Sequence, residues 1–516
     1  MTCGRGWSRG GRRIAGAASA LAALLPLALV LGAGRDEISD AAVPRPLSAQ
    51  VTVDPAASGW PIPRSFLGAS TEYWALPRSS AGLTGFERAL SLLRTPGDGP
   101  LTIRIGGDSA DVSLWNPGPL AAPPWLFALT PSWVQQAAQL VRDLRARLIL
   151  DLNLAINSPR AAIAWVRAAE AGLPARSIVG FEIGNEPDLH TRRYLVGSVL
   201  PIDADTRLPP LGMTPRRYVR DFLSYGRALA KVAPGAPLIG PVIGNASLDA
   251  DWIAALIRGA GRMLGAVSAH AYPLSACAPP GAGDYPTVER LLGERTSAGV
   301  ARSVSAAVRL ARRNGLPFRL TELNSVTCGG LRGVSNTFAT ALWAPDALFE
   351  LVRAGLESAD IHMRAATINA PFMVRGDRLI VRPLLYGLAL FARTVGPGAR
   401  QLPADLHAAR PLHLKLWAVH LDRERLHLLI INKGGRSAMI TLRVPGVGDA
   451  VVERLLAPSP GSRSGVTLEG QRIAESGAWS GHRRVELLSR HRGVYRLLVP
   501  GFSAALVSVR LAPASP

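Results

Sequence analysis

Two hydrophobic periods divide this chain. As far as about residue 398, short apolar runs break into polar turns and alternate with longer stretches whose apolar positions return every three or four residues. The short runs fall at 66–72, 101–105, 148–153, 179–183, 238–242, 267–271, 318–321 and 366–369, eight in all, the number a closed (β/α)8 barrel requires. Between them, 131–147 carries Trp133, Ala137, Leu140, Val141 and Leu144 at helical spacing, and 214–232 opens on Thr214 as N-cap and Pro215 in the first turn, a helix start signal. Beyond residue 402 the period falls to two, in 413–421, 425–432, 437–444 and 494–511, which predicts half-buried antiparallel strands. The expected fold is α/β: a TIM barrel over residues 61–398 and a C-terminal antiparallel β-sandwich over 399–516.

Ahead of the barrel, residues 1–40 place a basic start, MTCGRGWSRGGRR, before the apolar stretch Ile14 to Ala33. That is the pattern of a signal peptide, though about 20 apolar residues also suffice for an uncleaved membrane anchor. Arg12-Arg13 in front of the apolar run leaves twin-arginine export open beside the general route. The formal net charge of +21 rests almost wholly on arginine, since the chain has only the lysines 231, 415 and 433. These arginines are dispersed and form no polybasic run, so the charge predicts no nucleic-acid partner. It does favour the approach of an anionic polysaccharide.

The chemistry concentrates where two of the apolar runs end. In SIVGFEIGNEPDLH (177–190) a β-branched run stops at Gly184, Asn185, Glu186 and Pro187, and proline cannot continue a sheet. Asn-Glu-Pro alone reads equally as a polar turn. A second carboxylate, Glu322 in PFRLTELNSVTCGG, ends a later run, 322 − 186 = 136 residues on. Parallel α/β barrels place catalytic groups at such strand ends, and paired carboxyls are what glycoside hydrolysis needs.

Asn185-Glu186-Pro187, then His270-Ala271-Tyr272, then Glu322 make a set that resembles clan A glycosidases. The Gly106-Gly107 turn, and Asn324-Ser325 followed by Cys328-Gly329-Gly330, are similar more narrowly to glycoside hydrolase family 79, the β-glucuronidases and heparanases. The similarity runs from about Gln50 to the C-terminus. It implies that the strand within 48–60 joins the sandwich before the chain enters the barrel. It also implies a retaining exo-β-glucuronidase without a cofactor or metal, acting on a glucuronide or uronate-containing glycan, with Glu186 as general acid/base and Glu322 as nucleophile. Asn185 would then bond the sugar 2-hydroxyl, or else only close its own turn. Tyr272 would bond the nucleophile. Arg104, a lone charge in LTIRI, is either a donor to Glu322 or the ion-pair partner of Glu182, because a buried unpaired ion costs several kcal/mol. His270 is a site residue or a satisfied core histidine. Glu72, Asp108 and Ser109 lie where members of the family contact sugar hydroxyls, and the backbone of Cys328, Gly329 and Gly330 matches a loop that holds the uronate. Thr327 and Asn369-Ala370 replace aromatics found in some members, which departs from a heparan-type subsite.

Cys277 and Cys328 remain once Cys3 leaves with a signal. An even number in an exported chain predicts a disulfide, and the run reading places both in neighbouring loops of the catalytic face. Two cysteines without a nearby histidine pair predict no metal centre. A clan A β-xylosidase or β-glucosidase would keep both glutamates but has no use for the Cys-Gly-Gly loop. A non-catalytic glycan-binding barrel would not require both carboxylates together with Asn185, Arg104 and Tyr272.

Overall fold

The computed structural model describes residues 46–76, 80–118, 125–191, 212–364 and 367–512; the expected targeting segment, 1–40, lies outside them. Eight parallel strands close into a barrel. In chain order they are β1 (Leu67–Glu72), β2 (Thr102–Gly106), β3 (Arg147–Leu152), β4 (Ile178–Ile183), β5 (Leu238–Ile243), β6 (Leu264–Ala271), β7 (Phe318–Leu323) and β8 (Ser358–His362). Each pairs with the next, and β8 returns to β1 through Ala359 opposite Leu67 and His362 opposite Ser70.

Seven of these strands overlap the runs read from the sequence, and the eighth does not. The last strand is SADIH, not the β-branched 366–369, and Asn369 lies in the loop beyond it. The reason is what β8 faces. Asp360 and His362 alternate on one side of the strand with Ala359 and Ile361 on the other, because the inner side lines the charged centre of the barrel. Apolar-run reading cannot see such a strand.

The helices bury the faces their periodicity predicts. Pro131–Leu144 begins at Thr130, whose side chain accepts from the Trp133 N–H, and buries Trp133, Ala137, Leu140, Val141 and Leu144. Pro215–Leu229 begins at Thr214, which accepts from the Arg217 N–H. Phe338–Ala354 differs: every residue from Phe338 to Val352 is buried. A mostly apolar helix buried on every side is one covered all round, and its buried charges, Asp346 and Glu350, are paired with Lys433 and Lys415. The barrel lies on one side and the sandwich on the other, where Phe349 stacks on Trp417 at 5.5 Å.

The sandwich consists of a four-stranded and an eight-stranded sheet. Val51, Leu428, Ile430, Ile440, Leu442 and Val507 fill the space between them. The early strand Leu47–Thr52 lies inside the smaller sheet, parallel to Ala438–Arg443 and antiparallel to Asp405–Ala408. Trp60–Pro61 pairs with Arg400–Leu402 at the edge of the larger one. The parallel pair departs from the all-antiparallel expectation, since a strand arriving from before the barrel is not bound by a hairpin to run antiparallel.

Candidate active site

The carboxyl-terminal ends of the barrel strands carry the side chains singled out above. At the end of β4, Glu186 takes a left-handed backbone, φ 42°, and its N–H bonds the Val242 carbonyl at 2.9 Å. A bulky residue held in that region signals a position fixed by its surroundings. On β6 the register against β7 shifts between Ala269 and His270, so that His270 pairs with Glu322. A bulge of this kind re-aims a side chain, and here it turns His270 towards both glutamates.

Arg104, on β2, lies beneath the site and is fully buried. Both open readings of it hold at once. Its Nη1 donates to Glu322 Oε1 at 2.7 Å and its Nε to Glu182 Oε2 at 2.7 Å, while Nη2 donates to Asp151 Oδ2 at 2.9 Å and Asn185 Oδ1 at 3.0 Å. The planar fork lets one cation orient four acceptors. It cannot neutralise three carboxylates, and burial, with Glu182 close by, pushes Asp151 well above the ordinary carboxylate range despite Arg104.

Glu322 collects donors on its other oxygen. Tyr272 donates to Oε2 at 2.7 Å, with His362 Nδ1 at 3.1 Å and His270 Nδ1 at 3.6 Å from the same atom. Burial would raise its carboxyl, but His270, His362, Arg104 and the Tyr272 hydroxyl outweigh that and hold it well below the usual range. Glu322 is thereby kept ionised. The two histidines show the converse: burial disfavours their charged forms, yet Glu322, with Glu186 beside one and Glu72 beside the other, raises both.

Glu186 is the more open carboxylate, its side chain 16% exposed against 6% for Glu322. Its Oε1 lies 2.8 Å from His270 Nδ1. One oxygen of each glutamate and one His270 nitrogen lie within 4.8 Å of one another. Among the described residues this trio is the group with the geometry to hold a metal ion, but its atoms already serve each other as hydrogen-bond and charge partners. Asn185 has its side-chain oxygen committed to Arg104, which leaves the amide nitrogen as the group to offer a ligand.

Of the residues expected to contact the sugar, two are buried. Ser109 is fully buried: its hydroxyl bonds the Gly106 carbonyl and accepts from the Tyr73 N–H at 2.7 Å, and its own N–H donates to Glu72 Oε2 at 2.8 Å. Its hydroxyl, N–H and carbonyl are thus all engaged in shaping the loop. Glu72 is likewise buried, with its second oxygen 3.6 Å from His362 Nε2. Asp108 stands at the opening and accepts from Arg364 Nη1 at 2.6 Å. Burial, Glu72 and Glu186 push its carboxyl up to about 7 against the pull of Arg364.

Beyond β7, Cys328, Gly329 and Gly330 all have positive φ, 55°, 76° and 85°. Cys328 is bonded to Cys277 with a Cα–Cα distance of 5.9 Å, which is the disulfide expected from the sequence. The Gly330 N–H already bonds Thr327 O at 3.2 Å, and a Cβ at Gly330 would press on Asn369 and Ser335 at 2.8 Å. Of the two glycine amides expected to hold an anion, one is therefore occupied by its own turn.

Three residues at the site escaped the sequence reading. His362 ends the misplaced eighth strand and Arg364 lies two residues beyond it, and the alternation Asp360, His362, Arg364 was the signal available for them. Asp188, just past Glu186, accepts from the Gly244 N–H at 3.1 Å, and burial together with Glu186 pushes its carboxyl up to about 7.

The geometry can be set beside known proteins. A β-glucuronidase of Aspergillus niger is 24% identical over 431 residues, 71% of this chain and 74% of that protein. The chain is similar to glycosidases. A 4-O-α-L-rhamnosyl-β-D-glucuronidase from Fusarium oxysporum superposes with a TM-score of 0.71 at 18% identity, covering 89% of this chain and all of that one. An α-L-arabinofuranosidase from Thermotoga maritima gives 0.63 at 17% identity over 90% of this chain. These two likenesses, at low identity, establish the shared barrel-and-sandwich fold. No family model matches the sequence.

Proposed function

We propose that this protein is a glycoside hydrolase of the β-glucuronidase type, similar to family 79, that works by double displacement with retention and is exported through residues 1–40. The observation that carries the reading is the pair Glu186 and Glu322, with oxygens within 4.8 Å of each other and only the deeper one ringed by Arg104, Tyr272 and two histidines. Facing oxygens this close accord with retaining enzymes, whose carboxyl groups stand roughly 5 to 5.5 Å apart and form a covalent intermediate, rather than with inverting enzymes, which need roughly 6.5 to 9.5 Å to admit a water.

In the first step Glu322, held as the anion, attacks the anomeric carbon. The bond to the glycosidic oxygen breaks as Glu186 delivers its proton to the leaving group. In the second, Glu186 takes a proton from water, the hydroxide oxygen bonds the anomeric carbon, and Glu322 departs. His270 hydrogen bonds Glu186 throughout and positions it. Asn185, steadied by Arg104, offers its amide nitrogen to the 2-hydroxyl, a contact that strengthens as the ring gains oxocarbenium character.

The glucuronide preference is supported by the Aspergillus niger relative and by Arg364, an exposed cation at the opening of the site. An assay of aryl β-D-glucuronide against the glucoside and xyloside tests it, with proton NMR of the first-formed sugar reporting the anomer. Glucuronide turnover giving the β anomer first is the expected result. An α anomer, or preference for xyloside, would overturn the assignment.

A further inference from the structure

We propose that Arg364 is the specificity-determining residue that reads the substrate carboxylate, and that Asp108 occupies it as an internal stand-in until substrate arrives. The inference rests on the uronide reading above and deepens it.

The geometry begins with where a pyranose must lie. Its anomeric carbon sits between Glu322 and Glu186, and C2 and the ring oxygen flank that carbon on opposite sides. If the 2-hydroxyl points to Asn185 at the end of β4, the ring oxygen, C5 and the carboxylate on C5 point to the opposite wall. In the barrel order β4 stands across from β8. Arg364 follows β8 by two residues and is 39% exposed on the open side of the site, whereas Arg104 is buried and spends its donors below. The Arg364 guanidinium lies over Trp74 at 5.7 Å and its Nε is 3.9 Å from Glu72, so its head is held by an aromatic face and by charge. The turn at Arg364 also abuts the glycine loop: Thr367 Oγ1 bonds the Arg364 carbonyl at 2.8 Å, and the next residue, Ile368, donates to Gly329 O at 2.9 Å. The two carboxylate-facing elements are therefore one assembly.

The charge balance requires such a cation. Asp108, Glu186 and Glu322 line the opening, with Glu72 buried directly behind Asp108 and Arg364, and each would repel a uronate. The 2.6 Å pair of Arg364 with Asp108 presents a carboxylate to a guanidinium as an incoming uronate would. For the substrate to take that place Asp108 must lose its charge or swing away, and burial beside Glu72 and Glu186 already holds its carboxyl at about 7. Uronate binding is therefore coupled to protonation of Asp108. Facing Asp108 are Glu72, Glu186, Glu322 and Arg364; facing Arg364 are Glu72, Asp108 and Glu322. Below about pH 7 Asp108 is neutral and the exchange is easy; above it the anion both holds Arg364 and repels the substrate, so KM for a glucuronide climbs with pH.

The test uses the full-length protein with 4-nitrophenyl β-D-glucuronide and the neutral glucuronamide as paired substrates. Arg364→Gln is expected to lower kcat/KM for the glucuronide by about ten- to a hundredfold, the usual worth of a charge-assisted hydrogen bond, chiefly through KM, and to lower that for the amide several-fold less. Arg364→Lys should fall between. Asp108→Asn should flatten the rise of glucuronide KM between pH 6 and 8. Equal losses on both substrates would make Arg364 merely structural and overturn the inference, as would no loss on either, or a pH-independent wild-type KM. If the wild type cleaves no glucuronide, the broader reading fails and this one with it; wild-type cleavage with an indifferent Arg364→Gln sinks only the present proposal.

Discussion

At the scale of single residues, Glu186 and Glu322 differ in surroundings more than in chemistry, and their variants should differ accordingly. Glu322→Gln removes the proposed nucleophile and is expected to abolish turnover on every substrate. Glu186→Gln should still release an activated phenol, which needs little protonation, while losing unactivated glycosides by about 10²- to 10⁴-fold, the worth of general acid catalysis. Pre-steady-state release of nitrophenol separates them; equal loss on both substrate classes would reverse the assignment. Tyr272 allows a sharper test, because its hydroxyl is one of the donors that hold the Glu322 carboxyl down. A depressed carboxyl contributes its ionised form above the folded pKa and loses it as pH falls through that value. Tyr272→Phe should therefore move the acid limb of the kcat/KM profile to higher pH, with the basic limb in place. Both glutamates and Tyr272 were legible because each follows an apolar run. Arg104 was legible as an anomaly, a charge inside a strand, but its four acceptors converge only in space.

At the scale of elements, the sequence revealed those whose faces are apolar and concealed those whose faces are functional. Seven barrel strands and the sandwich strands Leu414–Asp422, Arg425–Asn432, Ala438–Arg443, Tyr495–Val499 and Ser503–Arg510 announce themselves by period, whereas Ala450–Leu456 fell outside the stretches read. β8 does not, since its inner positions are Asp360 and His362, and so the residues it delivers to the site were missed with it. The loop after β7 was legible in part: glycines and a cysteine marked it, but the bond from Gly330 to Thr327 O is a matter of turn geometry. The Cys277–Cys328 bond ties this loop to the one after β6, where Leu274–Ser275 and Val326–Thr327 pair as a two-stranded ribbon. Closing 51 residues of chain is worth roughly 4 kcal/mol in the entropy model, but the ribbon also holds the ends together. Cys328→Ser is accordingly expected to raise KM for glucuronides several-fold through the loosened glycine loop, with a small loss in Tm. A large drop in Tm at unchanged KM would assign the bond to the fold instead.

At the scale of the whole molecule, barrel and sandwich meet along the helix Phe338–Ala354, buried from Phe338 to Val352, and the sequence could give the two domains but not this seam. Its charged members come from distant segments. Two of the chain's three lysines, Lys415 and Lys433, converge on it. Lys433 pairs with Asp346, both essentially inaccessible, and Trp417 Nε1 donates to the other oxygen of Asp346 at 3.2 Å. Lys415 Nζ lies 3.7 Å from that same oxygen and 2.9 Å from Glu350. A buried pair of this kind adds little over an apolar match, yet breaking it strands a charge, which costs about 3 to 5 kcal/mol. Lys433→Met should lower the stability of the whole chain by about that amount, partly relieved by Lys415. Lys433→Met with Asp346→Asn removes both charges and keeps an acceptor for Trp417, so it should recover most of the loss. Denaturant unfolding followed by two probes, tryptophan fluorescence and glycosidase activity, measures the effect on barrel and sandwich together. Coincident transitions shifted by Lys433→Met and restored in the double variant would show that the seam couples the domains. A double variant no better than the single would mean that the lysine holds the seam by packing of its stem, and that its charge contributes nothing.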